Sequence, residues 1–177
     1  MKIKRTILAS VAMALFMVNA SSAQQVKTDY DRSANFDQYK TYSWEKVQTP
    51  DPLWVDRIKE AVNAALAAKG WTQVDSGGSV AIVAMEMTQE HPTLNTYYDG
   101  GFGRGWRWGG GLGESTTTVE NYKVGTLVVD LFDTNTKKLI FRASSSDTLS
   151  DKSEKNIKNL DKGVQKMFDH YPPGAKK

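Results

Sequence analysis

GTLVVDLFDTNTKKLIFRASSSDTL, residues 125–149, is the stretch that decides the fold. Apolar and polar residues alternate along it up to the run Asp-Thr-Asn-Thr, which is typical of a turn. We therefore predict a long strand over residues 116–132, a turn over residues 133–136 and an antiparallel partner strand over residues 138–144. This hairpin gives the chain a β-sheet on which other elements can pack.

Further strands are predicted upstream of this hairpin. Residues 79–88, SVAIVAMEMT, are almost continuously apolar, which indicates a buried central strand. Residues 26–44 have β-forming ends and a polar middle, so they predict a short strand, a turn and a second strand around residues 41–46. Another short strand is expected after Gly70 and Trp71.

The first of two predicted helices lies between these strands. Asp51 can cap it, Pro52 suits its first position, and Gly70 provides a stop. Its apolar residues recur on one face, as in an amphipathic helix. These residues are Trp54, Ile58, Ala61, Val62, Ala65 and Leu66.

The second predicted helix follows the hairpin. Asp151 and Glu154 have the spacing of a capping box, and Pro172-Pro173 end the helix. Its apolar stripe consists of Ile157, Leu160, Val164, Met167, Phe168 and Tyr171. Two such stripes need a surface to cover. We therefore expect an α+β fold in which a mainly antiparallel sheet of about five or six strands has both helices packed on one face.

The amino-terminal residues predict export. A positively charged start precedes an apolar run over residues 7–18, and small residues around Ala23 suit cleavage of a signal peptide. We expect residues 1–23 to be removed and residues 24–177 to form a single globular domain. This domain would be soluble in the periplasm or elsewhere in the cell envelope, without a transmembrane segment.

Charge and cysteine content argue against several functions. The chain has 23 basic and 20 acidic residues, and three of the basic residues lie in the leader, so the exported part carries no net charge. This balance does not favour binding to nucleic acid. The chain has no cysteine, so it can neither form a disulfide nor carry a lipid on a cysteine.

Four segments, taken in order, are similar to one family. They are residues 26–44, VKTDYDRSANFDQYKTYSW; residues 66–71, LAAKGW; residues 79–87, SVAIVAMEM; and residues 125–149, followed by a helix that ends in YPP. Together they resemble the bacterial domain of unknown function catalogued under the number 4136. The resemblance implies an exported envelope protein, often a lipoprotein, with no established activity, cofactor or substrate. This chain departs from the lipoprotein pattern because it has no cysteine, and it has Phe141 where the resemblance implies tryptophan.

The sequence favours no metal site. Residues 29–40, DYDRSANFDQYK, place oxygen-bearing side chains at alternate positions, as a calcium loop does. However, Ala34 stands where that loop needs glycine, and Lys40 replaces its last glutamate. We therefore interpret the segment as a polar turn. His91 and His170 are widely separated and do not predict a zinc site. We expect neither a metal nor another cofactor.

An enzymatic alternative rests on Asp130 and Asp133. Their odd spacing on one strand places them on opposite faces of the sheet, which argues against a shared catalytic site. The chain also lacks the Gly-x-Ser-x-Gly turn of many serine hydrolases. We expect a domain that is not an enzyme, and an envelope hydrolase with a carboxylate site is the alternative.

Residues 97–114, YYDGGFGRGWRWGGGLGE, combine glycine with aromatic residues and arginine. Their spacing fits neither a dinucleotide-binding motif nor a P-loop. We interpret residues 90–115, approximately, as a loop whose aromatic rings and arginines contact a glycan, a membrane surface or an envelope protein. The candidate contact residues are Tyr97, Tyr98, Phe102, Arg104, Trp106, Arg107 and Trp108.

Two other interpretations stay open at this point. The glycine-rich segment can be a connection without a binding role, because glycine makes a segment costly to order. Alternatively, the domain can be a purely structural subunit of an envelope complex, with a helix stripe or a free sheet edge as the contact.

Overall fold

A computed structural model describes residues 24–98, 115–169 and 171–172. Six strands and two α-helices follow one another along these residues. They are β1 (Gln25–Tyr30), β2 (Thr41–Gln48), α1 (Trp54–Ala67), β3 (Thr72–Gln73), β4 (Val80–Tyr98), β5 (Ser115–Asp133), β6 (Leu139–Thr148) and α2 (Ser153–Phe168). A single turn of 3-10 helix, Phe36–Gln38, lies between β1 and β2.

The six strands form one mixed sheet in the order β1-β6-β5-β4-β2-β3. The pairs β1–β6, β6–β5 and β5–β4 are antiparallel, as the hairpin pattern predicts. The pairs β4–β2 and β2–β3 are parallel, so the expectation of a mainly antiparallel sheet is wrong on this side. The physical reason is α1, because a strand that returns to a sheet through a crossover helix runs parallel to the strand before the helix.

The core lies between the helices and one face of the sheet. Alternate residues of the central strands supply the sheet side of this core, among them Ile82, Val129, Leu131 and Ala143, each with no exposed surface. Both predicted helix stripes contribute to the same buried cluster. The helix residues with at most 1% of their surface exposed are Ile58, Val62, Leu66, Val164, Met167 and Phe168. The expected α+β layering is therefore present.

The start of each helix differs from the prediction. α1 begins at Trp54, and Asp51 instead holds the preceding turn, because its side chain accepts a hydrogen bond of 3.0 Å from the backbone N–H of Leu53. The capping box predicted at Asp151 and Glu154 is wrong, since α2 begins at Ser153 without a side-chain cap. The stop predicted at Gly70 is confirmed by its left-handed backbone, with a φ of 79°.

The amino-terminal boundary of the predicted loop at residues 90–115 is also wrong, whereas the strand predicted from residue 116 is confirmed. β4 continues to Tyr98 and β5 begins at Ser115, with every residue of one strand in register with the other. Threonine, tyrosine and valine are frequent in these extensions and favour strands. Residues 99–114 and the predicted signal peptide, residues 1–23, lie outside the described residues.

Candidate functional site

β4 and β5 extend beyond the rest of the sheet. They pair from Val80 opposite Asp133 to Tyr98 opposite Ser115. β2 accompanies β4 only as far as Met85, and β6 accompanies β5 only as far as Val124. Residues 90–98 and 115–123 therefore form a two-stranded ribbon, called the arm below, with no third strand among the described residues. Nine residues in each strand give the arm a length of about 30 Å.

The base of the arm is held by contacts on both of its faces. On one face, Lys123 Nζ lies 3.3 Å from Glu90 Oε1. On the other face, the rings of His91 and Tyr122 stack with 5.3 Å between their centroids and 23° between their planes. The backbone N–H of Leu149 also donates a hydrogen bond of 2.8 Å to the carbonyl oxygen of Lys123. The stacked pair stabilises the base of the arm more than the ion pair does, because exposed ion pairs stabilise proteins little.

In the sequence, the predicted contact residues are the last two residues of β4 and five residues that follow them. Tyr97 and Tyr98 are the last two residues of β4, opposite Thr116 and Ser115. The other five, Phe102, Arg104, Trp106, Arg107 and Trp108, lie outside the described residues. The chain leaves the arm at Tyr98 and enters it again at Ser115, so these five belong to the segment that joins the two arm strands.

A groove that the sequence did not predict lies at the base of the arm. It is a cavity of about 320 Å³ between α1, α2 and the helix-covered face of the sheet. Apolar side chains of both helices and of β5 line its walls, and charged side chains of the three central strands lie around it. The apolar residues include Trp54, Ile58, Leu127 and Leu160, and the charged residues include Glu86, Lys123 and Asp147.

The polar part of this groove is ordered by hydrogen bonds. The two carboxylate oxygens of Glu86 accept bonds of 2.9 Å from the Thr49 hydroxyl and 2.8 Å from the Thr88 hydroxyl. Asp147 accepts one from the backbone N–H of Thr148. Apolar walls with a few oriented polar groups are the usual composition of a small-molecule site. Sequence patterns could not reveal this groove, since its walls come from five separate elements.

The fold does not bring together Asp130 and Asp133, the two carboxylates of the enzymatic alternative. Asp130 lies on the sheet face away from the helices, where Nε and Nη2 of Arg142 each donate a hydrogen bond of 2.6 Å to it. These bonds and the charge of Asp130 raise the pKa of Arg142. Asp133 lies on the helix-covered side, in register with Val80 rather than with Val83, the partner of Asp130. The predicted placement on opposite faces is therefore confirmed.

Asp133 has a structural role in the turn between β5 and β6. One carboxylate oxygen accepts bonds of 2.7 Å and 2.9 Å from the backbone N–H groups of Asn135 and Thr136. The other accepts a bond of 2.7 Å from the Tyr39 hydroxyl. The bond from Thr136, with those from Tyr39 and Asn135, lowers the pKa of Asp133. A carboxylate held in this way closes a turn and is poorly suited to exchanging protons at neutral pH.

The segment interpreted as a polar turn does form turn structure. Asp31 accepts hydrogen bonds from both the backbone N–H and the hydroxyl of Ser33, at 2.8 Å and 2.6 Å, and these bonds lower its pKa. The Asn35 side chain accepts a bond from the backbone N–H of Asp37, where it caps the 3-10 helix. Within the described ranges, no group of three or more histidines and acidic residues could hold a metal ion. His170 lies outside those ranges.

Membrane insertion through a helix finds no support in the part of the chain that the structure describes. Neither α1 nor α2 has the length and continuous apolar character that a helix needs to cross a bilayer.

Solved structures with a similar fold include two bacterial proteins. One is a PDZ domain protein from Parabacteroides distasonis, with a TM-score of 0.55 and 14% identity; the match covers 95% of this chain but only 40% of that one. Another is a PelC dodecamer from Paraburkholderia phytofirmans, with a TM-score of 0.51 and 10% identity over 82% of this chain and 95% of that one. At these identities the likeness concerns the fold alone.

Sequence comparison gives the family directly. No curated protein has a significantly similar sequence. The family model described as "Domain of unknown function (DUF4136)" matches residues 26–173, which include every element from β2 to α2 and nearly all of β1. The chain therefore belongs to the DUF4136 family, as its sequence motifs predict.

Proposed function

We propose that this protein is an exported, non-catalytic domain that binds a component of the bacterial cell envelope through the segment at the end of its arm. The observation that carries the proposal is the arm itself. β4 and β5 continue as a pair for nine residues beyond the strands that flank them, and the chain between Tyr98 and Ser115 contains the glycine, tryptophan and arginine residues. The arm carries Tyr98 and Ser115, where the chain leaves it and enters it again, about 30 Å beyond the strands that flank it.

The chemistry of the segment favours an envelope ligand. Trp106 and Trp108 can stack on sugar rings or lie at the headgroup level of a membrane. Arg104 and Arg107 can pair with phosphate or carboxylate groups. The charged leader followed by an apolar run supports export, and the absence of net charge in the remaining chain argues against nucleic acid as the partner. Subunit contacts are also compatible with this fold, since it occurs in a dodecamer.

The geometry supports binding better than hydrolysis. Both carboxylates of the hydrolase alternative already have partners, Arg142 for Asp130 and the turn with Tyr39 for Asp133. The two lie on opposite faces of the sheet, so one substrate bond could not contact both.

Co-sedimentation tests the proposal. The exported chain is mixed with purified cell-wall sacculi and, separately, with lipid vesicles, and the pelleted fraction is compared with that of a Trp106→Ala, Trp108→Ala variant. Leu53→Ala is the matched control, since Leu53 is a large apolar side chain on the body of the domain and 70% exposed. We expect the parent and the control to pellet with one material and the tryptophan variant to stay in solution. A tryptophan variant that pellets like the parent would contradict the proposal.

A further inference from the structure

The two edges of the arm differ in their backbone chemistry. The carbonyl oxygen of Lys123 accepts a hydrogen bond from Leu149, so the backbone of Lys123 points away from β4. In an antiparallel strand, the N–H and C=O of one residue point to the same side, and this side alternates along the strand. Val119 and Asn121 therefore also direct their backbone groups away from β4. At these two residues β5 has no partner strand among the described residues, because β6 ends at Thr148.

The β4 edge of the arm is blocked. Pro92 is in register with Asn121, so its backbone faces the outer side of β4. Proline has no backbone N–H, and at this position the missing donor is the one that an added strand would need. The arm thus has one edge that resists further pairing and one that still offers backbone donors and acceptors.

We propose that the β5 edge of the arm pairs with the same edge of a second copy of this chain. The two β5 strands would run antiparallel around a two-fold axis at Val119. Val119 would lie opposite the partner's Val119, and Asn121 opposite the partner's Thr117. The two arms would then form a continuous four-stranded antiparallel sheet, which satisfies the outward backbone groups of β5 in both copies. This proposal goes beyond the proposed binding function and does not depend on the segment between the strands.

The side chains of β5 suit such self-pairing. In this register Glu120 lies opposite the partner's Thr118, so no like charges face each other across the axis. Val119 is 58% exposed, one of the most exposed large apolar side chains among the described residues. Pairing would bring it against the partner's Val119 and remove apolar surface from water. An isologous contact of this kind closes at two copies, because both copies contribute the same edge to one two-fold contact.

Proline substitutions test the two edges of the arm one at a time. Leu94 and Val119 lie opposite each other in the arm, and both direct their backbone groups outward. Val119→Pro removes an N–H from the edge proposed to pair, whereas Leu94→Pro removes one from the edge that Pro92 already blocks. Neither removes a hydrogen bond within the arm. Sedimentation equilibrium of the exported chain should show a dimer for the parent and for Leu94→Pro. Val119→Pro should weaken dimerisation about thirtyfold, because two donors are lost at the axis.

Cysteine substitution provides a second, independent readout. The chain has no cysteine, so a single introduced thiol can form a disulfide only between copies. Residues directly opposite each other in a hydrogen-bonded antiparallel pair have Cα atoms about 5.5 Å apart, which a disulfide can span. We expect Val119→Cys to form a disulfide-linked dimer on mild oxidation and Leu94→Cys, which leaves the proposed contact intact, to form no disulfide between copies. A monomeric parent, equal effects of the two prolines, or equal cross-linking at the two positions would each overturn the proposal.

Discussion

Asp130 and Arg142 lie opposite each other on β5 and β6, and two guanidinium nitrogens donate hydrogen bonds of 2.6 Å to the two carboxylate oxygens. Asp130 has 9% of its surface exposed, while the Arg142 side chain is 54% exposed. The pair therefore joins two central strands on the sheet face away from the helices. Its role is structural, because Arg142 occupies both oxygens that a catalytic carboxylate would need.

Replacing Asp130 should destabilise the fold. We expect Asp130→Asn to lower the free energy of unfolding by about 1–3 kcal/mol, because a charge-assisted bidentate contact is lost. Urea denaturation measures this change. Asp29→Asn is the matched control: Asp29 lies on the other side of Arg142, on β1, and is exposed. It should change the free energy of unfolding by less than about 0.5 kcal/mol. Equal effects of the two substitutions would show that the contact between Asp130 and Arg142 adds no stability.

Because of Asp133, the free energy of unfolding should fall at acid pH. The pKa of Asp133 is lowered in the fold by hydrogen bonds from Thr136, Tyr39 and Asn135. A carboxyl group whose folded pKa is depressed contributes stability above its unfolded pKa, about 3.9, and loses it as pH falls through the folded pKa. We expect urea denaturation of the parent to show stability falling below about pH 4. Asp133→Asn should be less stable at pH 7 and should lose less on acidification. Parallel pH profiles of the two proteins would contradict this account.

Gly163 allows α2 to lie close to β6. A Cβ atom at this position would come 2.5 Å from Ser145 Oγ and 3.2 Å from Ser145 Cβ. We expect Gly163→Ala to destabilise the protein by about 1–3 kcal/mol, although alanine favours a helix, because the helix must shift away from the sheet. Adding Ser145→Ala should recover part of the loss. Lys162→Ala, on the exposed side of α2, serves as the control in thermal unfolding. A stabilised Gly163→Ala variant would show that this packing is loose.

Salt dependence should identify the kind of envelope ligand. If anionic phosphates are bound, Arg104 and Arg107 contribute by charge, and binding to vesicles of anionic lipid should weaken as salt rises. An Arg104→Gln, Arg107→Gln variant should bind more weakly and lose most of this salt dependence. Vesicles of zwitterionic lipid are the control in the same sedimentation assay. A parent whose binding does not change with salt would exclude charge pairing and leave aromatic stacking as the main contact.

The sequence predicted the elements with strong periodicity. The hairpin over residues 125–149 and both apolar helix stripes are present because binary patterns record directly which face is buried. The parallel pairing of β2 with β4 was missed because strand direction depends on the crossover through α1, which local patterns do not contain.

The arm and the groove were harder to predict for different reasons. Residues 90–98 lie beside a glycine-rich run, which suggested a loop, whereas pairing with β5 keeps them in a strand. The groove needs α1, α2 and the central strands together, and no single segment indicates it. The local signal for the arm was the high content of β-branched and aromatic residues in 93–98 and 115–122.

The most direct measurement removes the segment and keeps the arm. Residues 98–115 are replaced by Asn-Gly, a two-residue turn that joins Tyr97 to Thr116, an opposite pair whose backbone groups face each other. Sedimentation with sacculi and with vesicles then compares this variant with the parent, while circular dichroism and sedimentation equilibrium check its fold and its self-association. We expect a folded variant that still dimerises but no longer pellets with the envelope material. Undiminished binding by that variant would contradict the central claim that this segment is the contact surface.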